Sequence, residues 1–259
     1  MASSKELKLR SPLKKLIISF FNILGYKIKK NNNFLDRWEN FIIEANDNEK
    51  KILKSFEKIC LASSLNLWSI SQSLKHISNK KIEGDIVECG LYNGSTLSFI
   101  GKISEDLNLK KKIWGYDTFS GFVENSFSEN DTELKTNNKA KFDNSNIFFS
   151  LNEVKHNVQS NDPKNFEKYI FIEGDILRTL DVENNLPKKI SFLRLDTDLY
   201  NTTKKQLDVL YPRLSSGGVL HIDDYGICPG VRKAVDEFFL NNDIWLHRVD
   251  LGCRYIIKK

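Results

Sequence analysis

Hydrophobic and polar positions recur with two different spacings along this chain, and the change falls near residue 84. Before it the spacing is helical. Leu13, Leu16, Ile17, Phe20, Phe21 and Leu24 form one apolar stripe, opened by Ser11 and Pro12 and closed by Gly25, residues that suit a helix start and stop. The stripe predicts a helix over 11–25, flanked by lysines, that docks on the body or on a second subunit, or lies on a membrane surface. A second helical region covers 46–77, with Ile52, Phe56, Ile59 and Cys60 on one face and Leu67, Ile70, Leu74 and Ile77 on another. Ser63 and Ser64 interrupt it.

From residue 84 onward, apolar runs of strand length alternate with helical patterns. Strands are predicted over 84–90, 112–119, 169–175, 190–196 and 218–224, and helices over 94–108, 146–160, 176–184, 199–215 and 230–241. Val231, Ala234, Val235, Phe238 and Phe239 make the buried stripe of the last helix. Residues 245–250 and 253–259 read as a terminal hairpin around Gly252. Alternation of this kind predicts a doubly wound α/β fold, a mostly parallel seven-stranded sheet with right-handed crossovers. The expected organisation is a helical extension over 1–80 and an α/β domain over 81–259. A polar stretch over about 120–146 is too long for an ordinary connection and suits a lid or binding loop.

Composition narrows the classes. With 259 residues, 40% of them hydrophobic and 11% aromatic, the chain can bury a sizeable core. The formal charge is +5, yet residues 1–30 alone carry +7, so the remainder is close to neutral and a nucleic-acid partner is not expected. Cys60, Cys89, Cys228 and Cys253 lie far apart without zinc-ligand spacing, which predicts reduced thiols in a cytoplasmic protein. No apolar run approaches the ~18 residues of a membrane span. The basic start followed by LIISFFNIL has no small-residue cleavage site after it and is expected to remain in the mature protein.

The candidate chemistry lies at the strand ends. In an open parallel sheet the carboxyl ends of neighbouring strands face one crevice. ISFLRLDTDLY places Asp196 and Asp198 there, and GGVLHIDDYG places Asp223 and Asp224. Four acids repel unless something positive sits among them, and a hard divalent ion such as Mg²⁺, which prefers oxygen ligands, fits Asp196, Asp223 and Asp224. Such an ion stabilises the oxyanion of a bound hydroxyl. Asp198 is either the general base that takes the proton or a cap for the helix that follows. His221, inside a strand, reads as a core residue, and Arg232 as a packing or ion-pair residue.

The first strand and its turn, GDIVECGLYNGST, have the position of a nucleotide-type cofactor site but lack G-x-G-x-x-G. Glu88 beside Gly90 would repel phosphate and accept an ammonium group, so the cofactor suggested is S-adenosylmethionine. Asp117 stands where a carboxylate bonds ribose hydroxyls, and Asp175 with Ile176 where an adenine edge and flank would lie. Each acid alone can equally be a helix cap.

GDIVECGLYNGST, GYDTFSGF, ISFLRLDTDLYNTTKKQLDVLYPRLSSGGVLHIDDYG and PGVRKAVDEF together resemble the macrocin-type sugar O-methyltransferases, the macrolide and aminocoumarin tailoring enzymes, over about residues 82–240. The resemblance implies a Rossmann-like class I methyltransferase fold and an S-adenosylmethionine- and Mg²⁺-dependent transfer to a sugar hydroxyl. It implies metal ligands at Asp196, Asp223 and Asp224 and a base at Asp198. For the cofactor it implies Glu88, Gly90, Tyr92, Ser95, Asp117, Thr118, Asp175, Ile176 and Asp196. Helices before the first strand commonly serve dimer contacts and site closure in such enzymes, which implies a homodimer or higher oligomer. The first loop departs from the family by reading LYNGST where relatives carry a Trp and an Arg. Lys outnumbers Arg 31 to 8, unlike a high-GC antibiotic producer, so a nucleotide-linked or surface-glycan sugar is the expected acceptor, as in polysaccharide biosynthesis. The alternative is a glycosyltransferase that uses Asp196-Thr-Asp198 as a D-x-D motif on a nucleotide sugar.

Overall fold

The computed structural model describes residues 42–132, 148–242 and 244–259. The helix expected over 11–25 and most of the polar stretch, from 133 to 146, lie outside the described residues. Residues 42–259 form one unit. Its helices are α1 (Asp47–Phe56), α2 (Ser64–Asn79), α3 (Ser95–Asp106), α4 (Leu151–Asn161), α5 (Ile176–Thr179), α6 (Tyr200–Leu210) and α7 (Pro229–Phe238). Its strands are β1 (Asp85–Cys89), β2 (Ile113–Asp117), β3 (Tyr169–Glu173), β4 (Ile190–Leu195), β5 (Leu214–Ile222), β6 (His247–Arg248) and β7 (Arg254–Ile257). The seven strands form one sheet in the order β3-β2-β1-β4-β5-β7-β6, parallel except for β7, which runs antiparallel to both neighbours. This is the mixed sheet expected from the alternating pattern, closed by the expected terminal hairpin.

Side-chain alternation along each strand divides the core in two. Ile86, Phe192 and Val219 pack with Leu67, Ile70, Leu74 and Ile77 of α2 and with Leu97, Phe99, Ile100 and Ile103 of α3. Each of the four α2 residues is fully buried, worth about 1.5–3 kcal/mol apiece relative to exposure. On the opposite face Val87, Leu193, Leu195 and Leu220 meet Leu207 and Leu210 of α6 and Val231 and Val235 of α7. The central strands are mostly apolar because both faces are covered, with Glu88, Arg194 and His221 as the buried exceptions.

Several boundaries differ from the spacing. The first helix ends at Phe56 and leaves Ile59 and Cys60 outside it, and the helix expected over 146–160 begins at Leu151 behind the Ser150 cap. The helix expected over 199–215 ends at Leu210, and β5 begins at Leu214, because Pro212 has no N–H to continue the ladder; a short 3-10 turn, Tyr211–Arg213, joins the two. The helix expected over 176–184 is a single turn, since Asn185 Nδ2 donates to Thr179 O at 3.2 Å and ends it. The break at Ser63 is as expected: its hydroxyl accepts from Asn66 N at 3.1 Å and caps α2.

Candidate active site

Backbone hydrogen bonds continue past the strand ends and hold the site residues in a row. Gly174 N donates to Asp117 O at 2.9 Å, Gly90 N to Tyr116 O at 2.8 Å, Asp196 N to Cys89 O at 2.9 Å, and Asp223 N to Leu195 O at 2.9 Å. The structure therefore brings together Glu88 and Asp117, at the carboxyl ends of β1 and β2, with Asp196 and Asp223, just past β4 and β5. Gly90 is required at its place: its φ is +86°, and a Cβ there would lie 1.8 Å from Asp196 O.

The positive charge among the acids is a side chain the spacing argument did not single out. Glu88, Arg194 and His221 are register partners on β1, β4 and β5 and point to the same face. Arg194, 1% exposed, donates from Nη1 to Glu88 Oε1 at 2.8 Å and to Asp196 Oδ2 at 2.5 Å, and from Nη2 to Asp223 Oδ2. Asp196, Asp223 and Glu88 keep it charged despite burial. One guanidinium does not balance the set. Burial pushes Glu88 up to about 8, aided by Asp196 and Asp223 and opposed by Arg194. Burial, then Asp223 and Asp224, likewise raise Asp196 to about 8 against the pull of Arg194. Glu88 Oε2, near the carboxyl end of β1, is a buried acceptor without a hydrogen-bond partner.

Asp196, Asp223 and Asp224 each offer an oxygen within 4.8 Å of the others. Two oxygens on one Mg²⁺ at its usual bond length span up to roughly 4.2 Å, so the three fit that ion with small side-chain adjustment. Asp223 is steadied from the other side by Asn66 Nδ2 of α2 at 3.2 Å. Asp198 and Asp224 face each other, and burial raises both, Asp224 to about 9 with Asp198 and Asp223 adding to it. Both have left-handed backbones, φ +62° and +59°, a conformation Asp tolerates better than most residues and one enriched at functional sites. Asp198 makes no capping bond to α6. That helix start is instead met by Asp131, whose Oδ1 accepts from Tyr200 N at 2.7 Å while Oδ2 accepts from Ser128 N at 2.8 Å. The first part of the polar stretch is thus fixed beside Asp198.

The remaining residues expected at the cofactor lie along the same edge. Asp117 Oδ2 accepts from Leu91 N at 2.6 Å and Oδ1 from Phe119 N at 2.8 Å, tying the turns after β1 and β2 together. Thr118 Oγ1 donates to Gly121 O at 2.5 Å. Asp175 caps α5 through Leu177 N at 3.0 Å, and Ile176 is buried behind it. Tyr92, with φ +51°, leaves its ring exposed edge-on to Phe149, and Ser95 is buried in the first turn of α3. His221 is a core residue as expected: it is fully buried, burial lowers it to about 3, and its ring lies 3.3 Å from Cys253 Sγ. Arg232 holds the turn after β5 by donating to Tyr225 O and Gly226 O.

Sequence reasoning missed Arg194, Asn66 and Asp131. Arg194 had a signal, as the one charged residue inside ISFLRL, because a charge in a doubly covered strand must be paired. Asn66 and Asp131 carried none, since their partners lie 157 and 69 positions away.

The sequence model of one family, macrocin-O-methyltransferase (TylF), matches residues 60–258. The chain is 29% identical over 184 residues to demethyldecarbamoylnovobiocin O-methyltransferase of Streptomyces niveus, covering 69% of this chain and 66% of that protein. It is 30% identical over 166 residues to 8-demethyl-8-(2,3-dimethoxy-alpha-L-rhamnosyl)-tetracenomycin-C 4'-O-methyltransferase of Streptomyces olivaceus, covering 61% and 58%. The matched stretch thus spans under two thirds of the length of these relatives. Among solved structures it is similar to the O-methyltransferase NovP, with a TM-score of 0.65 and 25% identity over 76% of this chain and 81% of that one.

Proposed function

The chain belongs to the macrocin-O-methyltransferase family, and from that premise we propose that it transfers a methyl group from S-adenosylmethionine to a hydroxyl of a sugar, with Mg²⁺ held by Asp196, Asp223 and Asp224. The observation that carries this reading is the acid excess around Arg194: a single guanidinium faces Glu88, Asp196 and Asp223, with Asp198 and Asp224 beyond them. A dication and an ammonium group are the ligands such a set accepts. A D-x-D glycosyltransferase would use Asp196 and Asp198 alone and give no role to Asp223, Asp224 or the partnerless Glu88 Oε2.

When bound, Mg²⁺ supplies Lewis acidity to an acceptor hydroxyl and S-adenosylmethionine supplies the methyl group. The chain's own residues do the rest. Glu88 would hold the cofactor's ammonium group. Asp117 and Asp175 would hold the ribose and adenine, and Gly90 would let the turn approach them. Asp198, beside Asp224 and off the end of β4, would take the proton from the acceptor hydroxyl. The family relatives named above include one whose name specifies a rhamnosyl substrate, which supports a sugar. The Lys-rich composition supports a nucleotide-linked or surface-glycan acceptor. We read the helical part before β1 as the region for site closure and dimer contact, supported by the Asn66 bond to Asp223, and the protein as cytoplasmic. Among the described residues no helix is long and apolar enough to cross a membrane.

Calorimetry with S-adenosylhomocysteine in the presence of Mg²⁺ tests the assignment. Binding that is lost in Glu88→Gln is expected. No binding, together with binding of a UDP- or GDP-sugar, would replace this reading by the glycosyltransferase.

A further inference from the structure

Arg194 links acids that the proposed function assigns to different ligands. Its Nη1 is divided between Glu88, on the strand that leads into the cofactor turn, and Asp196; its Nη2 goes to Asp223. Glu88 and Asp196 each commit one oxygen to the guanidinium, and Glu88 keeps the other without a partner. Asp223 is fixed from two sides, by Arg194 and by Asn66. Arg194 is 1% exposed and flanked in register by Glu88 and His221, so its fork has no alternative orientation toward solvent. A guanidinium cannot give up its proton, and its planar fork fixes the direction of every bond it makes. A charge here is not needed for the fold, because buried ion pairs add little stability over apolar residues of similar volume.

We propose that Arg194 is a positioning residue shared by both ligand sites, one guanidinium that orients the cofactor acid Glu88 and the metal acids Asp196 and Asp223 together. The inference rests on the assignment of Glu88 to S-adenosylmethionine and of the aspartates to Mg²⁺. Its consequence is that the two sites are not independent. Glu88→Gln replaces a carboxylate acceptor of Nη1 by a neutral amide oxygen and so leaves the guanidinium more to Asp196 and Asp223, where it competes with the ion for their charge.

The experiment measures Mn²⁺ and S-adenosylhomocysteine affinities by calorimetry on the wild-type protein, Glu88→Gln, Arg194→Met and the double variant. Glu88→Gln, although outside the metal-ligand set, weakens Mn²⁺ binding by about tenfold, the lower end of the effect of losing an outer partner of a metal ligand. In the Arg194→Met background the same change leaves Mn²⁺ affinity within about twofold, because the shared partner is gone. Equal Mn²⁺ affinity in wild type and Glu88→Gln, or the same loss in both backgrounds as expected of a plain charge effect, overturns the proposal. If Arg194→Met does not fold, Arg194→Lys keeps the charge without the fork: weaker binding of both ligands supports the proposal, and wild-type affinity for either overturns it. A wild-type protein that binds neither ligand refutes the underlying assignment of the acids, an outcome distinct from two sites that bind independently.

Discussion

Replacing Gly90 by Ala tests whether the close approach of the turn after β1 to Asp196 is as tight as the structure has it. The backbone at Gly90 has φ +86°, and an added Cβ falls 1.8 Å from Asp196 O and 2.7 Å from Asp196 C. The left-handed conformation costs an L-residue about 1–2 kcal/mol. The overlap is with backbone, which no rotamer change relieves, and overpacking of this kind adds about 1–3 kcal/mol. The sum, about 2–5 kcal/mol, corresponds to a fall in Tm of roughly 4–20 °C for a domain of this size. Because the atom struck is the carbonyl of Asp196 itself, Mn²⁺ affinity falls with it. Gly94→Ala is the control: its φ is +77°, but the nearest neighbour is the Val154 Cγ1 methyl at 2.9 Å, which can yield, so only the conformational cost of about 1–2 kcal/mol remains. Scanning fluorimetry and Mn²⁺ titration of the two variants decide the matter. A Gly90→Ala protein that melts no lower than Gly94→Ala and binds Mn²⁺ like wild type would show that the ends of β1 and β4 separate freely, and the argument from contact would fail.

Glu88 and Asp196, raised to about 8, and Asp224, raised to about 9, bind protons more tightly folded than unfolded, so metal-free stability is present below the ordinary carboxylate range and is lost as pH rises toward 8–9. The Tm of the metal-free protein therefore falls between pH 6 and 9 and Mg²⁺ restores it; a flat or rising Tm without metal contradicts the sign. Asp198→Asn is expected to cut turnover at least a hundredfold, on the order of a lost general base, with Tm and the affinity for S-adenosylhomocysteine nearly unchanged, whereas Asp131→Ala lowers stability by about 1 kcal/mol, the cost of a lost helix cap, in urea unfolding. The reverse pattern would make Asp198 the structural acid. Asn66→Ala weakens Mn²⁺ binding about tenfold without altering the affinity for S-adenosylhomocysteine; an equal loss of both would mean that α2 has shifted as a whole.

The central strands were legible because burial on both faces leaves a continuous apolar run, and each run ends in the acid that the sheet then presents at its carboxyl edge. Asp117, Asp196 and Asp223 follow directly from that pattern. Helix ends were less legible: Pro212 ends α6 at Leu210 although the apolar spacing continues beyond it. The charge balance of the site was misread in part. Four aspartates called for a cation, which the sequence argument supplied as an ion, while the structure places Arg194 between two of them and Glu88. The arginine stood in plain view in ISFLRL, but only strand register shows that it faces Glu88 and not a helix. Asn66 and Asp131 reach their partners through tertiary packing of α2 and of the stretch before residue 133, and local spacing does not encode such contacts.

The most direct test of the account is product mass spectrometry after incubation of the protein with S-adenosylmethionine, Mg²⁺ and a panel of nucleotide sugars and glycosides. The account predicts that one acceptor gains a single methylene on a sugar hydroxyl, that chelation of the metal abolishes the gain, and that Asp196→Asn abolishes it with the cofactor still bound. Full transfer by Asp196→Asn without added metal, or cleavage of a nucleotide sugar with no methyl transfer to any acceptor, would contradict it.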